Sequence, residues 1–383
     1  MTTTIINKNK KPNVPNLRFP EFQGEWEEHY LSDYLDFKNG LNPKPDKFGK
    51  GIKFISVMDI LNNAIITNDC IRASVDVSEE ELQNFCVENG DMLFQRSSET
   101  LEDVGRANVY MDDKPAVFGG FVIRGKKKAE YNPLFFRYLL ASPFARKKII
   151  PMGAGAQHFN IGQEGLNRVK LHFASLDEQK KIAKILSLLD ERIATQSKII
   201  DKFQTLIKGI AHKVSKQGKP NIRLSECLLC TSSTLQESDV AEVGAYPVYG
   251  ANGIVGYLDT YNTTSEAIYI IKDGSGVGAV SCVKGKCSAT GTLNILQTKE
   301  GFSLRYLYFI LKVFSFEPYK TGMAIPHIYF KDYGKAKIYC PSNQLQCKYA
   351  DLLSKIEQKA TAEQKILDNL CSQKQYLLCQ MFI

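Results

Sequence analysis

The feature that most constrains this chain is a long amphipathic helical pattern that occurs twice, with Ile182 of the first copy corresponding to Tyr349 of the second. In both copies apolar residues recur at alternating steps of four and three residues, which is the spacing of a coiled-coil seam. The first series is Ile182, Leu186, Leu189, Ile193, Gln196, Ile200, Phe203, Ile207, Ile210 and Val214, and the second is Tyr349, Leu353, Ile356, Ala360, Glu363, Leu367, Leu370, Lys374, Leu377 and Met381. Both series have a polar residue at the fifth step. Because the phase is shared without a gap, we infer that the chain contains a duplication.

Shorter matches precede the two helices in the same order along the chain. Residues 31–33 correspond to 224–226, 94–98 to 271–275, 104–105 to 277–278, Gly120 to Gly291, and Ala156-Gln157-His158 to Ala324-Ile325-Pro326. The sequence therefore predicts two copies of one unit, each a mixed globular domain followed by a long helix.

The predicted fold class is α+β, with two α/β domains in a pseudo-two-fold arrangement, separated by two long helices paired as an antiparallel coiled coil. A helix of roughly 38 residues reaches about 57 Å and cannot bury its seam against its own domain alone. Gln196 and Glu363 would then meet as a polar layer that fixes the helix register. The alternative is that each helix docks a separate partner. The predicted parts are a flexible N-terminal arm at 1–17, domains at 18–175 and 217–342, and long helices at 176–216 and 343–383.

Local patterns give the expected elements of each domain. In the first, β-rich runs at 53–57, 91–94 and 116–123 predict strands, and 133–149 predicts a helix that Ser142-Pro143 can break. In the second, strands are expected at 267–271, 278–283 and 292–297, and a helix at 303–314.

Composition sets the expected location and the kind of partner. No run approaches the roughly 18 apolar residues of a membrane span, and the first residues lack a signal-peptide core, so a cytoplasmic protein without membrane contact is expected. The 49 basic and 41 acidic residues leave a net charge of +8, which favours polyanionic partners. Lys44, Lys47, Lys50 and Lys53 lie among Gly, Pro and Asn, in a loop that either follows a phosphate backbone or only aids solubility.

The ten cysteines allow one metal-site hypothesis. Cys227 and Cys230, together with Cys282 and Cys287, have the residue types of a four-thiolate zinc site. The repeat favours the other interpretation, because it places Cys227 on Tyr34 and Cys230 on Phe37, as apolar core positions. We therefore expect no metal site.

Catalytic motifs are incomplete. Residues 132–135, Asn-Pro-Leu-Phe, lack the second proline of the adenine-methyltransferase motif, and the Glu-x-Lys candidates that would complete a nuclease motif with Pro45-Asp46 all lie on the long helices. No Gly-x4-Gly-Lys-Ser/Thr phosphate loop is present. The chain is expected not to be an enzyme.

The architecture resembles the specificity subunit of type I restriction-modification systems over nearly the whole chain. Local matches are the segments at 15–22 with Trp26, 90–96, 246–253, 274–278, 289–292, and Glu178-Gln-Lys-Lys-Ile-Ala183 at the start of the first long helix. The second copy departs from the usual acidic-Glu-Gln opening, with Gln344-Leu345-Gln346. The resemblance implies a non-catalytic subunit that binds a two-part, asymmetric double-stranded DNA target through two target-recognition domains. It further implies two methyltransferase subunits, which use S-adenosylmethionine to methylate adenine N6, and two restriction and translocase subunits. S-adenosylmethionine, ATP and Mg are expected on those partners and no cofactor on this chain.

Polar and aromatic residues in matching loops are the candidate DNA contacts, since Arg, Gln and Asn pair with base edges and Lys and Ser more often hold phosphates. In the first copy they are Lys44, Lys47, Arg96, Ser97, Ser98, Gln157, His158 and Asn160, and in the second Tyr246, Tyr249, Asn252, Lys272, Ser275, Lys286 and His327. The two tyrosines alternatively pack, and the two histidines are alternatively structural. Two rival functions stay open, a stand-alone DNA-binding or scaffold protein without enzymatic partners and a fused methyltransferase.

Overall fold

The computed structural model describes residues 13–383, so the basic stretch at 7–12 and most of the predicted arm at 1–17 lie outside the described residues. The chain forms two compact units. The first unit contains the described residues up to Thr195 together with Leu367–Ile383, and the second unit contains Gln196–Ile366. Within residues 13–383 there is no helix whose length and hydropathy would let it span a membrane.

The described part of the first unit combines short strands, short helices and one long helix. The strands are β1 Glu27–Tyr30, β2 Leu35–Asn39, β3 Phe48–Ile55, β4 Ser74–Val75, β5 Met92–Gln95, β6 Ser97–Ser98, β7 Ala107–Val109, β8 Ala116–Phe118, β9 Val122–Lys127, β10 Phe159–Asn160 and β11 Lys170–Phe173. The helices are α1 Leu31–Tyr34, α2 Val57–Asn62, α3 Glu79–Phe85, α4 Pro133–Ala141, α5 Pro143–Ile149, α6 Gln163–Asn167 and α7 Leu176–Ser215, which continues into the second unit.

The second unit repeats this plan with fewer elements. Its strands are β12 Ile222–Arg223, β13 Leu228–Ser232, β14 Tyr246–Gly250, β15 Gly253–Leu258, β16 Ala267–Ile271, β17 Val280–Val283, β18 Ser288–Ala289, β19 Leu293–Thr298 and β20 Lys337–Ile338. Its helices are α8 Leu224–Cys227, α9 Leu304–Leu311, α10 Phe330–Tyr333 and α11 Asn343–Gln380, whose last residues belong to the first unit.

Three sheets of the first unit recur in the second, and only the β6-β10 pair has no counterpart among the named strands of the second unit. A four-stranded antiparallel sheet has the order β2-β9-β5-β7 in the first unit and β13-β19-β16-β17 in the second. A three-stranded sheet has the order β4-β3-β8 and β15-β14-β18, and in both the last pair is parallel. Each unit also contains a two-stranded antiparallel sheet, β1-β11 in the first unit and β12-β20 in the second. The predicted α+β duplication is therefore confirmed at the level of topology.

A buried glutamine ties each long helix to its domain. The side chain of Gln179 accepts a hydrogen bond from Asn132 N at 2.9 Å and donates to Ala174 O at 2.9 Å. Gln346, at the matching position of α11, accepts from Ser303 N at 3.0 Å and donates to Pro341 O at 2.9 Å. The second long helix therefore keeps this glutamine, although its opening departs from the acidic-Glu-Gln pattern. The departure falls on the two preceding residues. Gln344 replaces the acidic Asp177, and the exposed Leu345 replaces Glu178, which pairs with Arg18 Nε at 2.8 Å.

The predicted seam is buried or half-buried at every position. In the first unit Ile182 and Leu186 share a core with Leu378 and Met381. In the second unit a core contains Ile207, Ala211, Val214, Ala350 and Leu353. Residue numbers rise along one helix while they fall along the other, so the helices pair antiparallel within each unit. In the second unit Gln196 Nε2 donates to the carbonyl oxygen of Glu363 at 3.0 Å and also to its carboxylate.

One predicted helix breaks at the residues that the sequence indicated, and two predicted strands have other limits in the structure. The helix at 133–149 is two helices, because Pro143 follows Ser142, whose side chain accepts from Ala145 N and begins a new helix. The strand at 116–123 is β8 and β9 joined by a turn, since Gly119 and Gly120 allow the close approach that the turn needs. The strand at 53–57 ends at Ile55 and Val57 begins α2.

Candidate nucleic-acid interface

In the first unit Arg96 is fixed by backbone contacts on both sides. Its N–H donates to Phe121 O at 2.9 Å, its carbonyl accepts from Ile161 N at 2.9 Å, and its Nη1 donates to Gly120 O at 3.2 Å. The side chain stays half-exposed. A guanidinium has five N–H donors, so most of them stay available to a base or a phosphate.

A short hairpin stands beside Arg96. Ala154 and Asn160 exchange two backbone hydrogen bonds of 2.9 Å, which places Gln157 and His158 exposed at its tip. Gly155 has a φ of +145°, and a Cβ there would lie 1.9 Å from His158 O, so only glycine fits. The hairpin therefore presents a carboxamide and an imidazole on a constrained backbone.

The neighbouring serines have different environments. Ser97 pairs with Asn160 across the β6-β10 ladder, and its hydroxyl donates to the Asn160 side-chain oxygen. Ser98 is buried and its Oγ accepts from Thr100 N at 3.2 Å. Ser97 and Asn160 thus belong to one surface with Arg96 and the hairpin, whereas Ser98 supports the loop from inside.

Lys44 and Lys47 lie on a separate loop, at a short 3-10 helix spanning Pro45–Lys47. Both are exposed, and Lys47 Nζ lies 3.7 Å from Asp76 Oδ2. The preceding residues Asn42 and Pro43 line one groove together with Ser97. This groove connects the lysine loop with the Arg96 surface.

The second unit repeats the first arrangement around Lys272. Its N–H donates to Thr292 O at 2.9 Å, and its carbonyl accepts from Ile328 N at 2.9 Å. Thr321 and His327 exchange backbone hydrogen bonds of 2.9 and 2.8 Å, and Gly322, with a φ of +87°, would place a Cβ 2.4 Å from Ile325 O. Lys272 therefore takes the place of Arg96, whereas the motif match of 94–98 with 271–275 had set Asp273 there, and a second hairpin lies beside Lys272.

This correspondence corrects the sequence alignment of the hairpins by one residue. The interval between Gly155 and Gly322 is the same as that between Ile182 and Tyr349 in the long helices. Gln157 therefore matches Ala324, His158 matches Ile325, and Asn160 matches His327. The alignment was wrong there because it matched the alanines at 156 and 324, whereas the hairpin is fixed by its glycine.

The other candidates of the second unit fall into separate groups. Lys286 Nζ lies 4.8 Å from the centre of the Tyr261 ring and 5.9 Å from that of Tyr246, so a cation and two aromatic rings share one surface. Tyr249 packs on Tyr269 with ring centres 5.9 Å apart, and burial raises the pKa of Tyr249. Asn252 is exposed in the turn between β14 and β15.

Two further candidates flank Lys272. Ser275 is exposed on the loop after Lys272, three residues along the chain. The ring of His327 is half-buried, with Nδ1 3.2 Å from Ile325 O and its centre 5.1 Å from that of Tyr329. His327 is thus held in the hairpin frame, while His158 is exposed at a tip.

Sequence reasoning missed exposed apolar residues on these loops. Phe121 is 68% exposed next to Arg96, and Met323 and Ile325 are exposed at the tip of the second hairpin. The signal that could have found them is a glycine immediately before Phe121 and before Met323, since glycine marks a turn that brings its neighbour to the surface.

The cysteines do not form the zinc cluster that was considered. Cys227 lies in the second-unit core, where burial raises its pKa to about 12, and Cys287 contacts the Tyr269 hydroxyl at 3.3 Å. Across residues 13–383 there is no group of three or more His, Cys, Asp or Glu side chains placed to hold a metal ion.

Comparison with known proteins gives a consistent family. A family model described as the type I restriction modification DNA specificity domain matches residues 23–204 and 227–371. The MjaX type I restriction enzyme specificity subunit of Methanocaldococcus jannaschii is 27% identical over 214 residues, which is 55% of this chain and 50% of that protein. The type I specificity subunit S.MgeORF438P of Mycoplasma genitalium is 26% identical over 277 residues, 66% of this chain and 71% of that one. The match thus spans only about half the length of the first of these relatives.

Solved structures share the fold at low sequence identity. The type I restriction-modification S subunit from M. genitalium superposes with a TM-score of 0.64 and 19% identity, covering 97% of this chain and 99% of that one. A chain from a structure on complex assembly of the type I R-M system gives a TM-score of 0.53 at 14% identity, covering 92% and 96%. Since the family model covers most of both repeats, the chain belongs to the type I restriction-modification DNA specificity family.

Proposed function

We propose that this chain is the non-catalytic subunit that selects the DNA sequence in a type I restriction-modification system. Each unit binds one half of a two-part target in double-stranded DNA, and the chain positions methyltransferase and restriction subunits that carry the chemistry. The chain acts in the cytoplasm, together with its DNA target and the methyltransferase and restriction subunits.

One observation carries this proposal: the two units hold different side chains on the same loop frame. Arg96 and Lys272 occupy equivalent positions, and the equivalent hairpin tips carry Gln157 with His158 in one unit and Ala324 with Ile325 in the other. Side chains of different hydrogen-bonding capacity contact different base edges. A common frame with unlike tips suits a target whose halves differ in sequence.

The partner arrangement has support on the long helices. Ile185 and Leu352 occupy matching positions of the repeat, and their side chains are 41% and 48% exposed although isoleucine and leucine are usually buried. Equivalent apolar positions on the two units suit two copies of one partner. We propose that each contacts one methyltransferase subunit.

The DNA experiment maps N6-methyladenine in host DNA, first with the native chain and then with a Gln157→Ala/His158→Ala variant. The expected result is a two-part methylated motif in which the variant relaxes one half and leaves the other unchanged. Methylation without a two-part motif, or a variant that alters both halves equally, contradicts the proposal.

The partner experiment measures the mass of the complex purified with this chain. Ile185→Asp and Leu352→Asp are each expected to remove one methyltransferase subunit, and the two together to remove both. Leu206→Asp is the matched control, because Leu206 is 47% exposed on α7 but its counterpart, Gln373, is polar. A chain purified without any methyltransferase subunit supports the stand-alone DNA-binding alternative.

A further inference from the structure

An apolar groove of about 420 Å³ lies beside the Arg96 surface of the first unit. Its volume is within the range of sites that hold small organic groups. Three phenylalanines line it, Phe48, Phe54 and Phe121, together with Met58 and Val57. The groove adjoins the hydrogen-bonded loop frame described above and shares Ser97, Gly120 and Phe121 with it.

The apolar lining is unusually open to solvent. Phe121 is 68% exposed, Met58 60% and Phe48 42%. Large apolar side chains gathered on one exposed surface indicate a binding site. These exposed side chains indicate that a ligand covers the groove when the protein functions.

Glycines maintain the shape of this groove. A Cβ on Gly120 would lie 2.0 Å from Asn42 Oδ1, and a Cβ on Gly119 would lie 2.6 Å from Cζ of Phe54. Any side chain at either position would displace a residue of the lining. The opening between the turn at 119–121 and the loop at 41–43 thus depends on the absence of side chains there.

Polar groups are present in the groove and cations stand next to it. The described lining includes the Asn42 amide and the Ser56 and Ser97 hydroxyls but no charged residue. Arg96 is hydrogen-bonded to Gly120 O directly beside it, and Lys44, exposed, follows the lining residue Pro43. An occupant that suits this surface has a flat apolar face, a polar edge and an anionic group that stays outside the groove.

A nucleobase on a phosphate backbone has this chemistry. We propose that the groove takes one unstacked base of the bound DNA, with Phe121 stacked against the base and Lys44 near the adjacent phosphate. The proposal rests on the DNA-binding function proposed above and adds that the first unit distorts its half of the target. Removing a base from the stack costs a few kcal/mol, and stacking on an aromatic side chain returns about 1–3 kcal/mol.

The test uses the full chain and a duplex containing the methylated motif found by mapping. 2-Aminopurine, whose fluorescence increases when it is unstacked, replaces one base at a time in each half of the target. One position is expected to brighten when the chain binds. Phe121→Ala is expected to abolish this increase and to weaken binding by roughly 5- to 150-fold, as measured by fluorescence anisotropy. Met58→Ala is expected to act in the same direction with a smaller effect.

The controls separate the groove from general binding. Phe144→Ala removes a phenylalanine on α5 that is 37% exposed and does not line the groove, and it is expected to leave both signals unchanged. An abasic nucleotide at the responsive position removes both the unstacking cost and the stacking gain, so it is expected to abolish the difference in affinity between the native chain and the Phe121→Ala variant.

The possible negative results distinguish a failure of the proposed function from a failure of the base-binding groove. No binding to any duplex overturns the proposed function itself. Binding without a fluorescence change, together with native affinity of Phe121→Ala, overturns only the base-binding groove. Loss of methyltransferase association in Phe121→Ala, with native DNA affinity, also overturns it and assigns the groove to a protein partner.

Discussion

The most direct stability prediction concerns Phe382, just after the end of α11. Its side chain is 1% exposed, with its ring centre 5.6 Å from that of Phe135 and 6.2 Å from that of Trp26. Replacing a fully buried phenylalanine by alanine removes its contacts and leaves a cavity, which costs about 3–5 kcal/mol. For a unit of roughly 200 residues, each kcal/mol lowers the melting temperature by about 2–4 °C. We therefore expect Phe382→Ala to lower the melting temperature of the first unit by roughly 6–20 °C.

Trp26 makes this prediction simple to measure. It is the single tryptophan of the chain and lies in the first-unit core against Phe382, so its fluorescence on heating reports the first unit alone. Tyr376→Ala is the matched control, since Tyr376 lies on α11 near Phe382 but is 59% exposed. If Phe382→Ala melts at the same temperature as Tyr376→Ala, the C-terminal residues do not stabilise the first unit and the reasoning fails.

Three further predictions follow from the helix anchors and the loops. Gln179→Ala and Gln346→Ala each remove the two hydrogen bonds of a buried glutamine and leave a backbone N–H without its partner. Each substitution is therefore expected to lower the free energy of unfolding of its unit by about 2–4 kcal/mol in chemical denaturation. A loss below about 1 kcal/mol contradicts this expectation. Arg96→Ala is expected to weaken binding of the target duplex by roughly 5- to 150-fold in anisotropy titrations and to relax base preference in one half-site only. Lys44→Ala/Lys47→Ala is expected to weaken binding to all duplexes alike and to reduce the slope of log K against log salt concentration by about 2. An unchanged slope would place these lysines away from phosphates.

The fold was predictable because its strongest signals are local and periodic. The seam from Ile182 to Val214 and from Tyr349 to Met381 follows from heptad spacing alone, and the structure buries or half-buries each position. Elements whose limits depend on single residues were less accurate. The strand expected at 116–123 is two strands, because Gly119 and Gly120 allow a turn that the β-rich composition of the segment did not indicate.

The candidate site was predictable only in part. Matching short motifs brought out the segments of Arg96 and Lys272 but set Arg96 against Asp273, one residue away from the counterpart that the backbone hydrogen bonds give it. It did not separate Ser98 and Tyr249, which are buried or packed, from their exposed neighbours, because burial depends on strand pairing far along the chain. Phe121 escaped notice because the prediction placed it inside a strand at 116–123, whereas the structure places it in the exposed turn between β8 and β9.

The closure of the first unit by the C-terminal residues has a consequence for protein synthesis. Leu378, Met381 and Phe382 belong to the core around Trp26 and Phe135, yet the ribosome adds them after every residue of the second unit. The core of the first unit is therefore complete only once residues 378–382 have been made, while the second unit is formed from one uninterrupted stretch. A chain that stops after Ile366 but before Leu378 has every residue of the second unit and still lacks these core residues of the first.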